Sequence, residues 1–152
     1  RLHPRIIEVG LHPDGSLRDR HLWHLPPLAP RLLALRMDAE LDFASASALE
    51  RRVADHLAAH PDVLHLCLMA QPINRIDVTG VETFAHLLGL MQSRGGTLHL
   101  SGLKLPAEQV LRQAGLLTPA SGLALYRTDA EALIALQHLP PSPLPQDQGL
   151  AC

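Results

Sequence analysis

Between Leu33 and Gln137 the sequence alternates between two hydrophobic periods, a pattern that few folds accept. Short runs with the length and period of β-strands are each followed by a segment with apolar residues at helical spacing. The strands are predicted over residues 33–43 (a strand or hairpin), 63–70, 97–101 and 124–127, and the helices over residues 47–60, 77–94, 106–114 and 128–137. Because strands that alternate with helices form βαβ units, the pattern predicts an α/β domain with helices mainly on one face of the sheet.

Proline and glycine divide the chain into three parts. Residues 1–32 are predicted to form an irregular arm, with one short edge strand that starts at Ile6 and a turn at Pro13-Asp14-Gly15. Residues 33–138 form the folded domain, and residues 139–152 form a proline-rich tail. We expect the arm to cover part of the sheet face that the helices leave open.

Composition and charge argue against several functional classes. Aromatic residues make up 3% of the chain and the net charge is −2, so the sequence predicts no nucleic-acid binding. No run of about 18 apolar residues occurs, which predicts no direct membrane insertion. The two cysteines, Cys67 and Cys152, do not form a disulfide framework and fit a reducing compartment such as the cytoplasm. The chain begins with Arg1 instead of Met, so we expect it to be a piece of a longer protein.

The segment from Asn74 to Gly80 is the strongest candidate for a functional site, because it follows a buried strand and opens a helix. Ligands and partners of parallel α/β sheets meet the carboxyl ends of the strands, where a helix N-terminus also offers free N–H groups. Two interpretations of Thr79 stay open. It is either the N-cap of a capping box closed by Glu82, or a phosphorylation site in a binding loop.

Lys104 follows the next predicted strand and is expected to lie beside the Thr79 loop. It is either a lysine in solvent or a group that helps to hold an anion. The candidate anion- or partner-binding residues are therefore Asp77, Val78, Thr79, Gly80, Val81 and Lys104. Two further capping boxes, Ser47 to Glu50 and Thr128 to Glu131, predict the starts of the first and last helices.

No pattern in the sequence predicts catalysis, a metal site or a cofactor. Neither a P-loop nor a G-x-S-x-G nucleophile elbow is present. The histidine pairs His21/His24 and His56/His60 have no cysteine or carboxylate set that completes a tetrahedron. We interpret the remaining candidates as structural: His65, Cys67 and His99 as strand residues that share one sheet face, and Asp38, Glu40 and Asp42 as a solvated strand face.

Five segments resemble one known family. The string from Leu35 to Ala46 resembles the opening of STAS domains from bacterial SulP anion transporters, where "R-x-D-x-x-L-x-F-A-N-A" follows the membrane region. Ile76 to Glu82 is similar to the family signature "I-D-x-[ST]-G". Residues 110–116 and 125–132 resemble its two closing helices, and residues 3–10 resemble the connecting segment before the domain.

The resemblance implies a STAS-like mixed sheet of four to five strands. It also implies a regulatory or docking domain on the cytoplasmic side of an inner-membrane permease for sulfate, bicarbonate or dicarboxylates. The implied partners are the permease's transmembrane domain in cis, cytosolic proteins and a nucleotide, all at the Asp77–Val81 loop. The alternative is a freestanding anti-sigma factor antagonist that is switched by phosphorylation of Thr79.

Overall fold

A six-stranded mixed sheet forms the centre of the protein, which a computed structural model describes over residues 5–38, 40–118 and 121–139. The strand order is β2-β1-β3-β4-β5-β6. The strands are β1 (Ile6–Leu11), β2 (Leu17–Asp19), β3 (Leu32–Met37), β4 (His65–Met69), β5 (Thr97–Ser101) and β6 (Leu123–Tyr126). The helices are α1 (Phe43–Ala59), α2 (Val78–Ser93), α3 (Leu105–Gln113) and α4 (Asp129–Leu136).

Strands β3 to β6 run parallel to one another, as the alternating pattern predicts. Each is followed by a helix, so the predicted α/β class and its βαβ units are confirmed. The central strand β4 is buried on both faces, which explains why its sequence is almost continuously apolar.

The two sheet faces carry separate cores. Leucines of β3, β4 and β5 pack on one face against α1, α2 and α3, whose buried contacts include Leu49, Phe84 and Leu111. On the other face, α4 packs through Ala132 and Leu136 beside residues from the segment before β3. Three of the four helices in the described residues therefore lie on one side, and the prediction that helices gather mainly on one face is confirmed.

The N-terminal segment departs from its prediction as an irregular arm with one edge strand. Strands β1 and β2 form an antiparallel hairpin, and β1 lies inside the sheet between β2 and β3. The predicted turn closes this hairpin: Gly15 has a φ of 91°, and the Asp14 carboxylate accepts a hydrogen bond from the Ser16 amide at 2.9 Å. Over the described ranges, the sheet consequently has six strands instead of the four to five that were expected. The predicted tail at residues 139–152 lies outside the described residues beyond Leu139.

The first helix begins four residues before its predicted start. Strand β3 ends at Met37, and the Asp42 carboxylate accepts from the Ser45 amide at 3.0 Å while the Ser45 hydroxyl accepts from the Asp42 amide at 2.9 Å. This reciprocal pair is the actual capping box, so the one predicted at Ser47 is wrong. Asp38, Glu40 and Asp42 therefore do not form a strand face, because the strand has already ended.

Candidate functional site

The loops that follow β3 and β4 are joined side by side at the carboxyl edge of the sheet. Leu41 and Ile76 form a parallel bridge between these loops. The residue after each bridge position is an aspartate, Asp42 or Asp77, and each is the N-cap of the helix that follows. The bridge therefore places the N-termini of α1 and α2 next to each other and in the same register.

Asp77, and not Thr79, caps helix α2. The Asp77 carboxylate accepts a hydrogen bond from the Gly80 amide at 2.9 Å, and its carbonyl accepts from the Val81 amide at 2.9 Å. The predicted Thr79 capping box with Glu82 is therefore wrong. Thr79 is instead the second residue of the helix, half-buried, and its hydroxyl has no hydrogen-bond partner among the described residues. Aspartate and threonine are both favoured N-cap residues, so the sequence alone was compatible with a cap at Asp77 or at Thr79.

Gly80 is required because the first turn of α2 packs closely on the bridged loops. A Cβ atom at this position would lie 2.9 Å from Cγ2 of Ile76 and 3.2 Å from the carbonyl oxygen of Leu41. The aspartate and the glycine of the motif thus have structural roles, one as cap and one as the point of close approach. The residues between them, Val78 and Thr79, have no such role.

Lys104 lies against the β4–α2 loop, as expected from its position after the next strand. Its ammonium group donates to the side-chain oxygen of Asn74 at 2.8 Å and to the backbone carbonyl of Gln71. Lys104 therefore bonds the part of the loop that precedes Asp77, and two of its three donors have protein partners.

Large apolar side chains project into solvent at this edge. Phe43, Val78 and Leu105 are the first residues of α1, α2 and α3, and they are 73%, 75% and 61% exposed. All three follow parallel strands of one sheet, so they lie along the same edge. We call these three residues the apolar edge.

A groove of about 260 Å³ runs beside the first two of these side chains. It is lined by Glu40, Leu41, Asp42, Arg75, Ile76 and Asp77. The hydrogen bonds from the Ser45 amide and hydroxyl lower the pKa of Asp42 below its usual value, so this carboxylate is charged at neutral pH. Arg75 and Glu40 form an exposed ion pair at 3.5 Å, which contributes little to stability. Three carboxylates and one guanidinium give the groove a net negative charge.

The histidines predicted to share a sheet face do so, on the face that α4 covers. His65 and His99 are buried, with Nδ1 of His65 3.1 Å from Nε2 of His99, and Cys67 lies opposite His99 in the sheet register. Burial, with the nearby carboxylate of Asp129, raises the pKa of the Cys67 thiol to about 12. Within the described ranges, no group of three or more His, Cys, Asp or Glu side chains is placed to hold a metal ion.

Comparisons with known proteins give one family and several similar structures. The family profile named STAS domain matches residues 27–132. No curated protein sequence matches the chain. None of the helices in the described residues combines the length and apolar composition needed to cross a membrane.

Two solved structures are similar to this chain. One is a candidate anti-sigma factor antagonist from Thermotoga maritima, with a TM-score of 0.62 and 21% identity over 77% of this chain and 97% of that one. The other is the mouse anion transporter Slc26a9 in its inward-facing state, with a TM-score of 0.72 and 12% identity over 87% of this chain. The match spans 22% of the transporter's length. At these sequence identities, the similarity shows a shared fold alone.

Proposed function

The chain belongs to the STAS domain family, and we propose that it is the cytoplasmic regulatory and docking domain of a SulP-type anion permease. The similar structures include both a transporter and a candidate anti-sigma factor antagonist, so our preference for the transporter role rests on the apolar edge. In this proposal, the membrane-spanning part lies elsewhere in the same protein, and this domain contacts it in cis.

The observation that carries the proposal is the apolar edge. The first position of a helix accepts most residues, so folding does not require a large apolar side chain there. Three such side chains at one edge of the sheet are typical of a surface that binds a partner. We therefore propose that Phe43, Val78 and Leu105 form the contact surface, of which Val78 belongs to the predicted binding segment at residues 77–81.

The groove beside this edge indicates the chemistry of the partner. Its carboxylates, from Glu40, Asp42 and Asp77, suit a surface that supplies lysine or arginine. Cytoplasmic loops of membrane proteins carry an excess of these two residues. A basic cytoplasmic loop of the permease, with apolar side chains that cover the apolar edge, is thus the partner that fits.

Protein contact is better supported at this loop than binding of an anion or nucleotide. The Gly80 amide is already bound by the Asp77 carboxylate, and Lys104 already donates to two loop oxygens. An anion at this helix N-terminus would have to displace Asp77 or approach its negative charge.

Site-specific photocrosslinking in the natural full-length protein tests the docking surface. A photoreactive residue at Val78 is expected to crosslink to the membrane part of the same chain. The matched control is Ile134 of α4, which is 63% exposed but lies on the opposite sheet face. Equal crosslinking from both positions, or none from Val78, would contradict the proposal.

The second candidate is a freestanding anti-sigma factor antagonist switched at Thr79. Its support is that the Thr79 hydroxyl has no hydrogen-bond partner among the described residues, so a kinase would not have to break a cap. Thr128 is the internal control, because its hydroxyl accepts from the Glu131 amide at 3.1 Å. Mass spectrometry of the natural protein should find phosphate on Thr79 and none on Thr128. Unmodified Thr79 under all growth conditions would remove this candidate.

Catalysis has no part in either candidate function. A screen against generic phosphatase and esterase substrates should therefore show no turnover above that of heat-denatured protein. Turnover that saturates with substrate would contradict this expectation.

A further inference from the structure

A pocket of about 280 Å³ opens at the amino end of β4, away from the apolar edge. It lies between the segment before β3 and the end of α4. Its apolar walls include Ala29, Pro30, Leu136 and Leu139, and its polar groups come from Arg31, His65 and Gln137. Pockets that bind small molecules have this makeup, with mostly apolar walls and a few polar groups.

His65 is a buried polar residue of this pocket with one ring nitrogen that the described part of the fold leaves without a partner. It is 4% exposed and lines the pocket, and its Nδ1 faces Nε2 of His99. Its other ring nitrogen, Nε2, has no hydrogen-bond partner among the described residues. An occupant of the pocket that forms a hydrogen bond with Nε2 would therefore give this nitrogen a partner that the described residues do not supply.

A chain of hydrogen bonds connects this nitrogen to the far edge of the sheet. His99 Nδ1 lies 2.9 Å from the hydroxyl of Tyr126 on β6. Burial lowers the pKa of both histidines, that of His99 to about 4, so each ring is neutral at pH 7 and carries one N–H. When Tyr126 donates to His99, His99 donates to His65, and Nε2 of His65 carries a hydrogen that it can donate. When the chain runs the other way, Nε2 of His65 is an acceptor.

We propose that this pocket binds a small monocarboxylate with a short apolar body, whose carboxylate accepts a hydrogen bond from Nε2–H of His65. Arg31 lines the same pocket, and its positive charge favours a negative ligand there. The pocket volume is near the lower end of the range for ligand sites, which restricts the apolar body to a few carbons.

Occupancy would also fix the direction of the hydrogen-bond chain. A carboxylate only accepts, so it selects the arrangement in which Tyr126 donates to His99. The state of the pocket beside β4 is thereby transmitted to the side chain of Tyr126 on β6, two strands away. Tyr126 is a positioning residue in this scheme, because it acts on the ligand through the two histidines.

NMR titration of the whole chain with hexanoate, with ¹⁵N-labelled histidine, tests the proposal. Hexanoate is expected to shift the His65 and His99 ring nitrogens saturably, with the His65 proton on Nε2. Hexanol lacks the carboxylate and acetate lacks the apolar body, so each should bind much more weakly. No saturable shift with hexanoate, or equal shifts with hexanol, would overturn the proposal.

Variants distinguish hexanoate binding in the pocket from hexanoate binding at the protein surface. His65→Leu removes the donor and should weaken hexanoate binding about ten-fold or more, whereas His86→Leu, at an exposed histidine, should not. Ala29→Leu fills the pocket without touching the histidines and should also abolish binding. Tyr126→Phe should weaken binding and change the His99 tautomer. Undiminished binding in Ala29→Leu would place hexanoate elsewhere and overturn the assignment.

Discussion

At the scale of single residues, the first turn of α2 separates structural side chains from available ones. Asp77 binds the Gly80 amide, and Gly80 packs against the bridged loops. Val78 is 75% exposed, and the Thr79 hydroxyl has no partner in the described part of the chain. A partner or a kinase can therefore act on Val78 or Thr79 without breaking the helix start.

Substitution of the cap should cost more than substitution of the threonine. Asp77→Ala is expected to lower the free energy of unfolding by about 1 kcal/mol, because it removes the N-cap hydrogen bond. Thr79→Ala should lower it by only about 0.5 kcal/mol or less, since no cap is lost. Thr128→Ala is the control, a true threonine cap with an expected cost of about 1 kcal/mol. Urea denaturation measures all three, and an equal cost at Thr79 and Asp77 would contradict the assignment.

Two glycines of α2 provide a matched pair. Gly80→Ala should destabilise the protein by about 1–3 kcal/mol, because its Cβ would lie 2.9 Å from Ile76 and 3.1 Å from Leu41. Gly89→Ala in the same helix should stabilise it by about 0.5–1 kcal/mol, because a Cβ there has no neighbour within 4 Å. Thermal or urea unfolding distinguishes the two. A stabilising Gly80→Ala would show that the first turn of α2 does not pack closely on the loops.

At the scale of elements, the sequence predicts the helix boundaries in the described residues to within one residue, except for the start of α1. The end of α2 is clear from Arg94-Gly95-Gly96, because Gly95 has a φ of 74° and the Gly96 amide bonds the Met91 carbonyl. The start of α1 is obscured, since the alternation that marks β3 continues through Phe43 although the strand ends at Met37. The Asp42–Ser45 capping box sets the start of α1, and the long-range bridge between Leu41 and Ile76 holds the loop that precedes it.

Short strands and competing caps are the other features that the sequence does not determine. β2 has three residues, Leu17–Asp19, without a marked apolar face, and it exists because it pairs with β1. At the candidate site, both Asp77 and Thr79 are good N-caps, and the extended backbone at Asp77 decides between them. The sequence does locate the segment at residues 77–81. It does not show that Phe43 and Leu105 lie at the same edge of the sheet as that segment.

The buried histidines beneath α4 predict a pH dependence. Burial lowers the pKa of His65 and His99, that of His99 from 6.5 to about 4. Between pH 6.5 and pH 4, these histidines bind protons in the unfolded chain but not in the folded chain. The free energy of unfolding should therefore fall as the pH falls. His99 alone contributes about 3 kcal/mol of this loss, at about 1.4 kcal/mol per pH unit.

Urea denaturation over this pH range measures the effect. His99→Gln should be less stable at neutral pH and should lose much of the pH dependence, whereas His86→Gln, at an exposed position, should keep it. An unfolding free energy that does not change between pH 6.5 and 4 would contradict the buried, neutral state of the pair.

At the scale of the whole molecule, the proposed functional surfaces lie at opposite ends of the strands. The apolar edge follows the carboxyl ends of the parallel strands, and the pocket beside His65 lies at the amino end of β4. The sheet between them has a core on each face. A partner at one end therefore leaves the other end open to a small ligand.

Charge on the apolar edge should weaken docking without unfolding the domain. Val78→Glu is expected to reduce crosslinking or co-purification with the membrane part about ten-fold, because it puts a carboxylate into an apolar contact beside an already negative groove. Ile134→Glu is the control on the opposite face. If both variants dock like the natural protein, the apolar edge is not the contact surface.

The size and membrane association of the natural full-length protein test the central claim most directly. An antibody against this chain should detect, in fractionated cells, a product several times longer than 152 residues that sediments with membranes. That result would agree with a docking domain of an anion permease. A product close to this length in the supernatant would contradict it, and Thr79 phosphorylation would then become the function to test.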